Sequence, residues 1–123
     1  MTMLVTRDRF KLAQLFTISR GSRTEINVVT VRVTRNGVTG WGECVPYARY
    51  GETLDSVTAQ IAALPEGIRR EVLQSIMPAG AARNAVDCAL WDLEAKQCGH
   101  RVWQLAGLAW PQPELTAYTL SLD

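Results

Sequence analysis

Carboxylates, thiols and one histidine are the groups in this sequence with chemistry to offer, and spacing decides what they can do. Asp87 and Asp92 are candidates for a metal-binding pair, since hard cations take carboxylate oxygens. On a helix, however, residues five apart do not share a face, so each reads instead as a hydrogen-bonding partner. Cys98-Gly99-His100 is half of a metal site with no second half, and Cys44, Cys88 and Cys98 show no metal-ligand spacing. Gly40-Trp41-Gly42-Glu43 superficially resembles a phosphate-cradling loop, but such loops lie between a strand and a helix. Here the glycines fall inside a strand, where they permit a bulge or the close approach of a helix. Glu43 could serve as a general acid; it reads better as a structural hydrogen-bond acceptor below the following loop.

The element that must position these groups is residues 78–99, PAGAARNAVDCALWDLEAKQCG. Pro78 and Gly80 open it, Gly99 stops it, and neither residue type interrupts it between. Ala82, Ala85, Val86, Ala89, Leu90 and Leu93 make one apolar stripe at helical spacing, and its alanines let a neighbouring backbone come close. Asn84, Asp87, Trp91 and Glu94 form a second, more polar track. A central helix packed on more than one side is predicted.

Ahead of it, Met3 to Lys11 predicts a first strand. Phe16 to Glu25, FTISRGSRTE, reads as an exposed loop or a bulged strand. Ile26 to Arg35 is strongly β-branched, Asn36-Gly37 is a turn pair able to take positive φ, and Val38 to Val45 pairs back. The three form an antiparallel meander. After the polar and aromatic loop Pro46 to Glu52, Thr53 N-caps a helix with Asp55 in its first turn and Leu54, Val57, Ile61 and Leu64 inward. Pro65-Glu66-Gly67 ends it, and a shorter helix, Ile68 to Ile76, is predicted with Ile68, Val72 and Ile76 inward. A short turn at Val102 to Leu105 follows the long helix. The fold class is α+β: a three-stranded antiparallel meander followed by a small helical bundle.

Trp110-Pro111-Gln112-Pro113 is a stiff extended linker, and Glu114 to Asp123 is a β-type segment with no partner nearby in sequence. Residues 1–110 are therefore expected to be one domain, and 111–123 a linker and the first strand of a second domain. The alternative is that the last segment docks on the edge of the first sheet.

The 123 residues are 47% hydrophobic and 20% charged, enough for a core of ordinary composition. Thirteen basic and 12 acidic residues leave a formal charge of +1, which gives no signal for nucleic acid or acidic membrane. No run approaches the roughly 20 apolar residues of a membrane span, and the charged N-terminus lacks a signal-peptide core. A reduced, cytoplasmic protein is the expectation. Homo-oligomerisation is left open.

The phrases GWGECVPYARYGET, PAGAARNAVDCALWDLEAK and TAYTLSL, in this order, resemble the N-terminal part of the enolase superfamily. More narrowly, they are similar to the dipeptide epimerases (L-Ala-D/L-Glu epimerases) of the muconate cycloisomerase-like group. The resemblance implies that residues 1–110 are a cap over the mouth of a (β/α) barrel beginning near Leu115 to Asp123. It implies proton abstraction next to a carboxylate, through an enolate stabilised by Mg²⁺. The two lysine bases and three acidic metal ligands would come from later barrel strands, so this segment alone is expected to be inactive, with no catalytic and no metal-binding residue.

For this segment the resemblance implies a part in substrate specificity. Its loops Ile18 to Glu25 and Pro46 to Glu52 would fold over a small dipeptide and exclude water. Arg23 matches the arginine that pairs with an acidic substrate side chain, for which a guanidinium offers a bidentate clamp; Arg20 is its rival by position. Thr119 matches a first-strand threonine facing the substrate. Tyr47 and Tyr50 would wall the pocket or pack on the barrel rim, while Trp91 and Trp103 would pack on neighbouring helices and the barrel. Other enolase-superfamily activities, of the cycloisomerase or o-succinylbenzoate synthase type, fit the same resemblance. A free-standing α+β binding domain is the non-enzyme reading.

Overall fold

The computed structural model describes residues 1–121. Its sheet has the order β1-β2-β3, with β1 at Thr2–Ile18, β2 at Gly21–Arg35 and β3 at Val38–Cys44, all antiparallel. The β-branched run of β2 makes it the central strand: Val29, Val31 and Val33 are fully buried on one face. Asn36 (φ 52°) and Gly37 (φ 78°) form the tight turn into β3, as their sequence predicts.

Of the two readings of residues 16–25, strand holds rather than loop, although residues 19–24 are exposed. They close the end of β1 onto the start of β2, turning at Ser19-Arg20. The bulge entertained for this stretch lies just before it. The register passes from Lys11 opposite Glu25 to Phe16 opposite Arg23, so residues 12–15 of β1 face the single Thr24 of β2.

The long helix, α3 (Ala81–Cys98), buries the whole predicted stripe together with Ala95. It lies directly on β3. A Cβ on Gly42 would overlap the Ala85 carbonyl oxygen and sit 2.7 Å from the Ala89 nitrogen. One on Gly40 would overlap the Ala89 carbonyl oxygen and sit 2.5 Å from the Leu93 nitrogen. The two glycines therefore serve close approach rather than a bulge, and the β2–β3 register runs unbroken past them. Polar side chains of α3 also close the free edge of β3: the Trp41 N–H donates to Asp92 Oδ2 (2.8 Å), and Lys96 Nζ and Asn84 Nδ2 donate to the carbonyls of Thr39 (3.0 Å) and Glu43 (3.4 Å). Gly99, in the left-handed region, ends the helix.

The helix α1 (Leu54–Ala62) starts at the predicted cap, where Thr53 Oγ1 accepts from Ser56 N (3.0 Å) and Ser56 Oγ accepts from Thr53 N (2.9 Å). Arg7 of β1 ties it to the sheet through Asp55 (2.7 Å) and Thr58 (3.2 Å). The next helix, α2, spans Arg70–Ile76, and the inward face predicted for it is corrected. Leu73 and Met77 are buried, while Val72 and Ile76 are 45% and 48% exposed. Ile68 is buried but precedes the helix, so a four-residue series counted from it does not follow one helical face. Arg70 stacks 3.6 Å from the Trp91 ring and pairs with Glu94 (3.2 Å), clamping α2 to α3.

The short α4 (Val102–Leu105) carries Trp103, whose ring meets Trp110 edge-on at 5.4 Å. Residues 108–121 have no regular secondary structure. The β-type segment predicted at 114–123 has no sheet partner over 114–121; Leu122 and Asp123 lie outside the described residues. Leu108, Trp110, Leu115, Tyr118 and Leu120 are exposed, and the segment is not zipped onto the sheet edge. It touches the sheet where the Thr17 N–H donates to Ser121 Oγ at 3.1 Å. No helix among the described residues is long and apolar enough to cross a membrane.

Candidate functional site

Two segments far apart in sequence face each other across an open cavity of about 770 Å³. The first is the distal part of the β1–β2 hairpin, where the bulge at 12–15 throws Leu12 and Gln14 toward the cavity beside Phe16, Ile18 and Ile26. The second is the loop between β3 and α1, contributing Tyr47 to Arg49. Phe16 and Arg23 stand opposite each other in the register and both line the cavity; Thr17 and Ser22, the next pair, bond hydroxyl to hydroxyl at 2.9 Å.

The loop wall is rigid for reasons of its own. A 3-10 turn at Ala48–Tyr50 ends in Gly51 in the left-handed region, with the Gly51 N–H donating to the Ala48 carbonyl at 3.0 Å. The Glu52 carboxylate ties the turn to the long helix: Oε2 accepts from the Tyr47 N–H (2.9 Å) and Oε1 from the Ala81 N–H at the start of α3 (2.7 Å). A carboxylate there also answers the positive end of the helix dipole. Gly80 gives it room, since a Cβ at that position would stand 2.9 Å from Oε1. Tyr47 and Tyr50 contact each other with ring centroids 5.8 Å apart.

Across this cavity the Arg23 guanidinium lies 5.7 Å from the centre of the Tyr47 ring, joining hairpin to loop by a cation–π contact. Arg20 and Arg49 line the same space, and among the described residues no acidic one does. None of the three is in an ion pair among the described residues, whereas Arg7, Arg9, Arg69 and Arg70 pair with Asp55, Glu25, Glu71 and Glu94. An acid-free recess with spare guanidiniums and an apolar floor can hold a carboxylate carried on a short hydrocarbon chain. Among the described residues its lining offers no carboxylate, thiol, imidazole or lysine amine; its hydroxyls are those of Tyr47 and of Ser22, which is bonded to Thr17.

The sequence-predicted residues fall out as follows. Arg23 lines the cavity, as does its rival Arg20 from the hairpin turn. Thr119 is exposed on the irregular C-terminal segment and is not a lining residue. Tyr47 walls the cavity; Tyr50 stands behind it, 75% exposed. Glu43 is not the acceptor below the loop: its side chain is exposed and only its backbone carbonyl is engaged, by Asn84. That work falls to Glu52, which sequence reasoning passed over; an acid just ahead of the Thr53 cap was the available signal. Asp87 accepts from Gln74 Nε2 (3.2 Å), and Asp92 is held by Trp41 N and Lys96 (2.6 Å), so both are structural partners. The Cys98 thiol donates to the Glu94 carbonyl at 3.0 Å. Burial, followed by the nearby charges of Glu52 and Glu43, pushes the Cys44 thiol up to about 11 and leaves it protonated. Among the described residues no three His, Cys, Asp or Glu side chains gather where they could hold a metal ion.

Residues 1–107 match the family model described as "Mandelate racemase / muconate lactonizing enzyme, N-terminal domain". The chain belongs to this family. Among its relatives, an L-Ala-D/L-Glu epimerase from Escherichia coli K12 is 47% identical over 123 residues, covering 97% of this chain and 38% of the relative. A solved enolase-family member from Agrobacterium tumefaciens, with homology to dipeptide epimerases and with bound sodium and L-Ala-L-Glu and an ordered loop, is 52% identical with a TM-score of 0.88. That match covers 98% of this chain and 38% of the other. A dipeptide epimerase from Enterococcus faecalis, complexed with Mg and L-Leu-L-Tyr, is 27% identical with a TM-score of 0.70, over 84% of this chain and 33% of that one. This mandelate racemase/muconate lactonizing enzyme N-terminal domain thus spans a little over a third of the length of the relatives it matches.

Proposed function

We propose that this chain is the substrate-capping part of a Mg²⁺-dependent dipeptide epimerase of the L-Ala-D/L-Glu type, cytoplasmic, inverting an α-carbon by proton abstraction through an enolate. Residues 1–110 form the cap, and 111–123 lead into the first strand of a barrel that supplies the bases and holds the metal. The observation that carries this reading is the Arg23 guanidinium, set against Tyr47 in a cavity where no described lining residue is acidic. In this reading it receives the side-chain carboxylate of a glutamate-containing dipeptide, and the apolar hairpin residues cover the methylenes. Thr119, once its segment is paired in a barrel, faces the same substrate. The unpaired apolar side chains of Leu115, Tyr118 and Leu120 support that pairing, because a strand exposing them to water is unfavourable.

The test uses the complete protein that carries this chain. Incubated with L-Ala-L-Glu in D₂O with Mg²⁺, it exchanges the α-hydrogen of the glutamate residue, seen by mass spectrometry and NMR. Exchange with no X-Glu dipeptide refutes the substrate assignment. Replacing Arg23 with Met lowers the preference for acidic dipeptides over their amide counterparts about 10- to 100-fold; a preference unchanged by the replacement refutes the role of Arg23.

A further inference from the structure

The cavity holds more positive charge than one carboxylate clamp requires. Arg23 comes from the hairpin, yet Arg49 enters from the opposite wall, on the 3-10 turn that Glu52 fastens at Tyr47 and Ala81. Arg49 lies two residues after Tyr47, on whose ring Arg23 rests, and both arginines line the same cavity. No lining residue is acidic, and Arg49 makes no ion pair or side-chain hydrogen bond among the described residues. Glu52, the nearest acid in sequence, has both oxygens committed to backbone N–H groups. Like charges gathered in a recess repel one another, and an anion placed between them relieves that repulsion.

We propose that Arg49 is a second specificity-determining residue, sharing with Arg23 the side-chain carboxylate of an acidic substrate. The inference rests on the proposed dipeptide-epimerase reading and deepens it. The carboxylate has two oxygens and about four lone-pair directions, so two guanidiniums approaching from facing walls can both be satisfied. Such an anion would bridge the hairpin and the 46–52 loop, so that binding of the acidic side chain and closure of the cavity are one event. A neutral amide in its place leaves two guanidiniums facing each other uncompensated, which makes the discrimination steep.

The experiment measures kcat/KM for L-Ala-L-Glu over L-Ala-L-Gln in the complete protein, for wild type, Arg49→Met, Arg23→Met and the double variant. Each single replacement lowers the ratio about 10- to 100-fold, as the loss of a charged hydrogen bond implies. The double variant loses less than the product of the two, because both residues act on one group. Arg49→Lys restores part of the ratio. Arg49 is exposed, and the thermal unfolding of each variant, run alongside, checks that the fold is intact. A wild type selective for Glu with an Arg49→Met ratio within twofold of it overturns the proposal while leaving the epimerase reading in place. Strictly multiplicative losses overturn the shared carboxylate. A wild type with no turnover of X-Glu removes the reading and this inference together.

Discussion

Replacing Gly42 with Ala adds one methyl group at the most crowded contact in the molecule. The new Cβ overlaps the Ala85 carbonyl oxygen and stands 2.7 Å from the Ala89 nitrogen, both backbone atoms of α3, so no rotamer change can make room. Ordinary contact for carbon begins near 3.5 Å, and clearing the Ala85 oxygen as well as the Ala89 nitrogen requires the helix to retreat by roughly 1 Å or more. Seven buried residues of α3 then lose contact along its stripe, and a gap of that size forfeits about a quarter to a half of each dispersion well. The edge bonds from Asp92 to Trp41 N (2.8 Å) and from Lys96 to Thr39 O (3.0 Å) stretch with it. Overpacking typically costs about 1–3 kcal/mol; with backbone as the obstacle, about 3 kcal/mol or more is expected, a large part of the ~5–15 kcal/mol that holds a domain together. The assay is urea denaturation followed by tryptophan fluorescence at fixed protein concentration, with Gly37→Ala as the control. Gly37, unlike Gly42, has positive φ, but open space surrounds it, so Ala there meets only backbone strain of about 1–2 kcal/mol. If Gly42→Ala lies within about 0.5 kcal/mol of wild type, or costs no more than Gly37→Ala, the close-approach argument is wrong.

Glu52→Gln turns one of the two oxygens fastening Tyr47 and Ala81 into an amide donor facing an N–H; about 1–2 kcal/mol is lost, and amide exchange at Tyr47 and Ala81 accelerates roughly tenfold. Asp8 is held below its ordinary carboxylate value of 3.8 by the Thr30 hydroxyl (2.8 Å) and then the Thr6 hydroxyl (2.9 Å). Its ionised form is therefore favoured in the fold, and the stability it contributes is full above that value and disappears as pH falls through the lower folded value. Asp8→Asn accordingly closes its stability gap to wild type as pH drops below about 4, measured by urea midpoints. Native protein treated with a thiol reagent at neutral pH reacts at Cys88 and Cys98 and spares Cys44, which is buried and pushed up to about 11; peptide mapping reads the sites.

Local chemistry was legible in the sequence and long-range partnership was not. The α3 stripe, the Asn36-Gly37 turn and the Thr53 cap each depend on residues within a few positions, and each is found where the pattern puts it. The second helix was misphased because Ile68 is apolar and buried without being helical, so Leu73 and Met77 were passed over for Val72 and Ile76. The hairpin end at 16–25 was obscured by its arginines, which point into a cavity rather than mark a solvated loop. Arg23 was singled out through a family resemblance, and the structure adds its cation–π contact with a tyrosine 24 positions away. Glu52 escaped notice because its partner Ala81 lies 29 residues on, and Arg49 because its relation to Arg23 exists only once the meander and the loop are folded together.

The glycines of β3 leave no layer of side chains between strand and helix to yield under load. Sheet and long helix are thereby welded into a plate, and the slack in the molecule is displaced to the four residues at 12–15, where β1 drops out of its ladder. Any swing of the arginine-bearing hairpin tip pivots on that corner, so changes to Leu15, which does not line the recess, alter how quickly it opens while leaving what it recognises untouched.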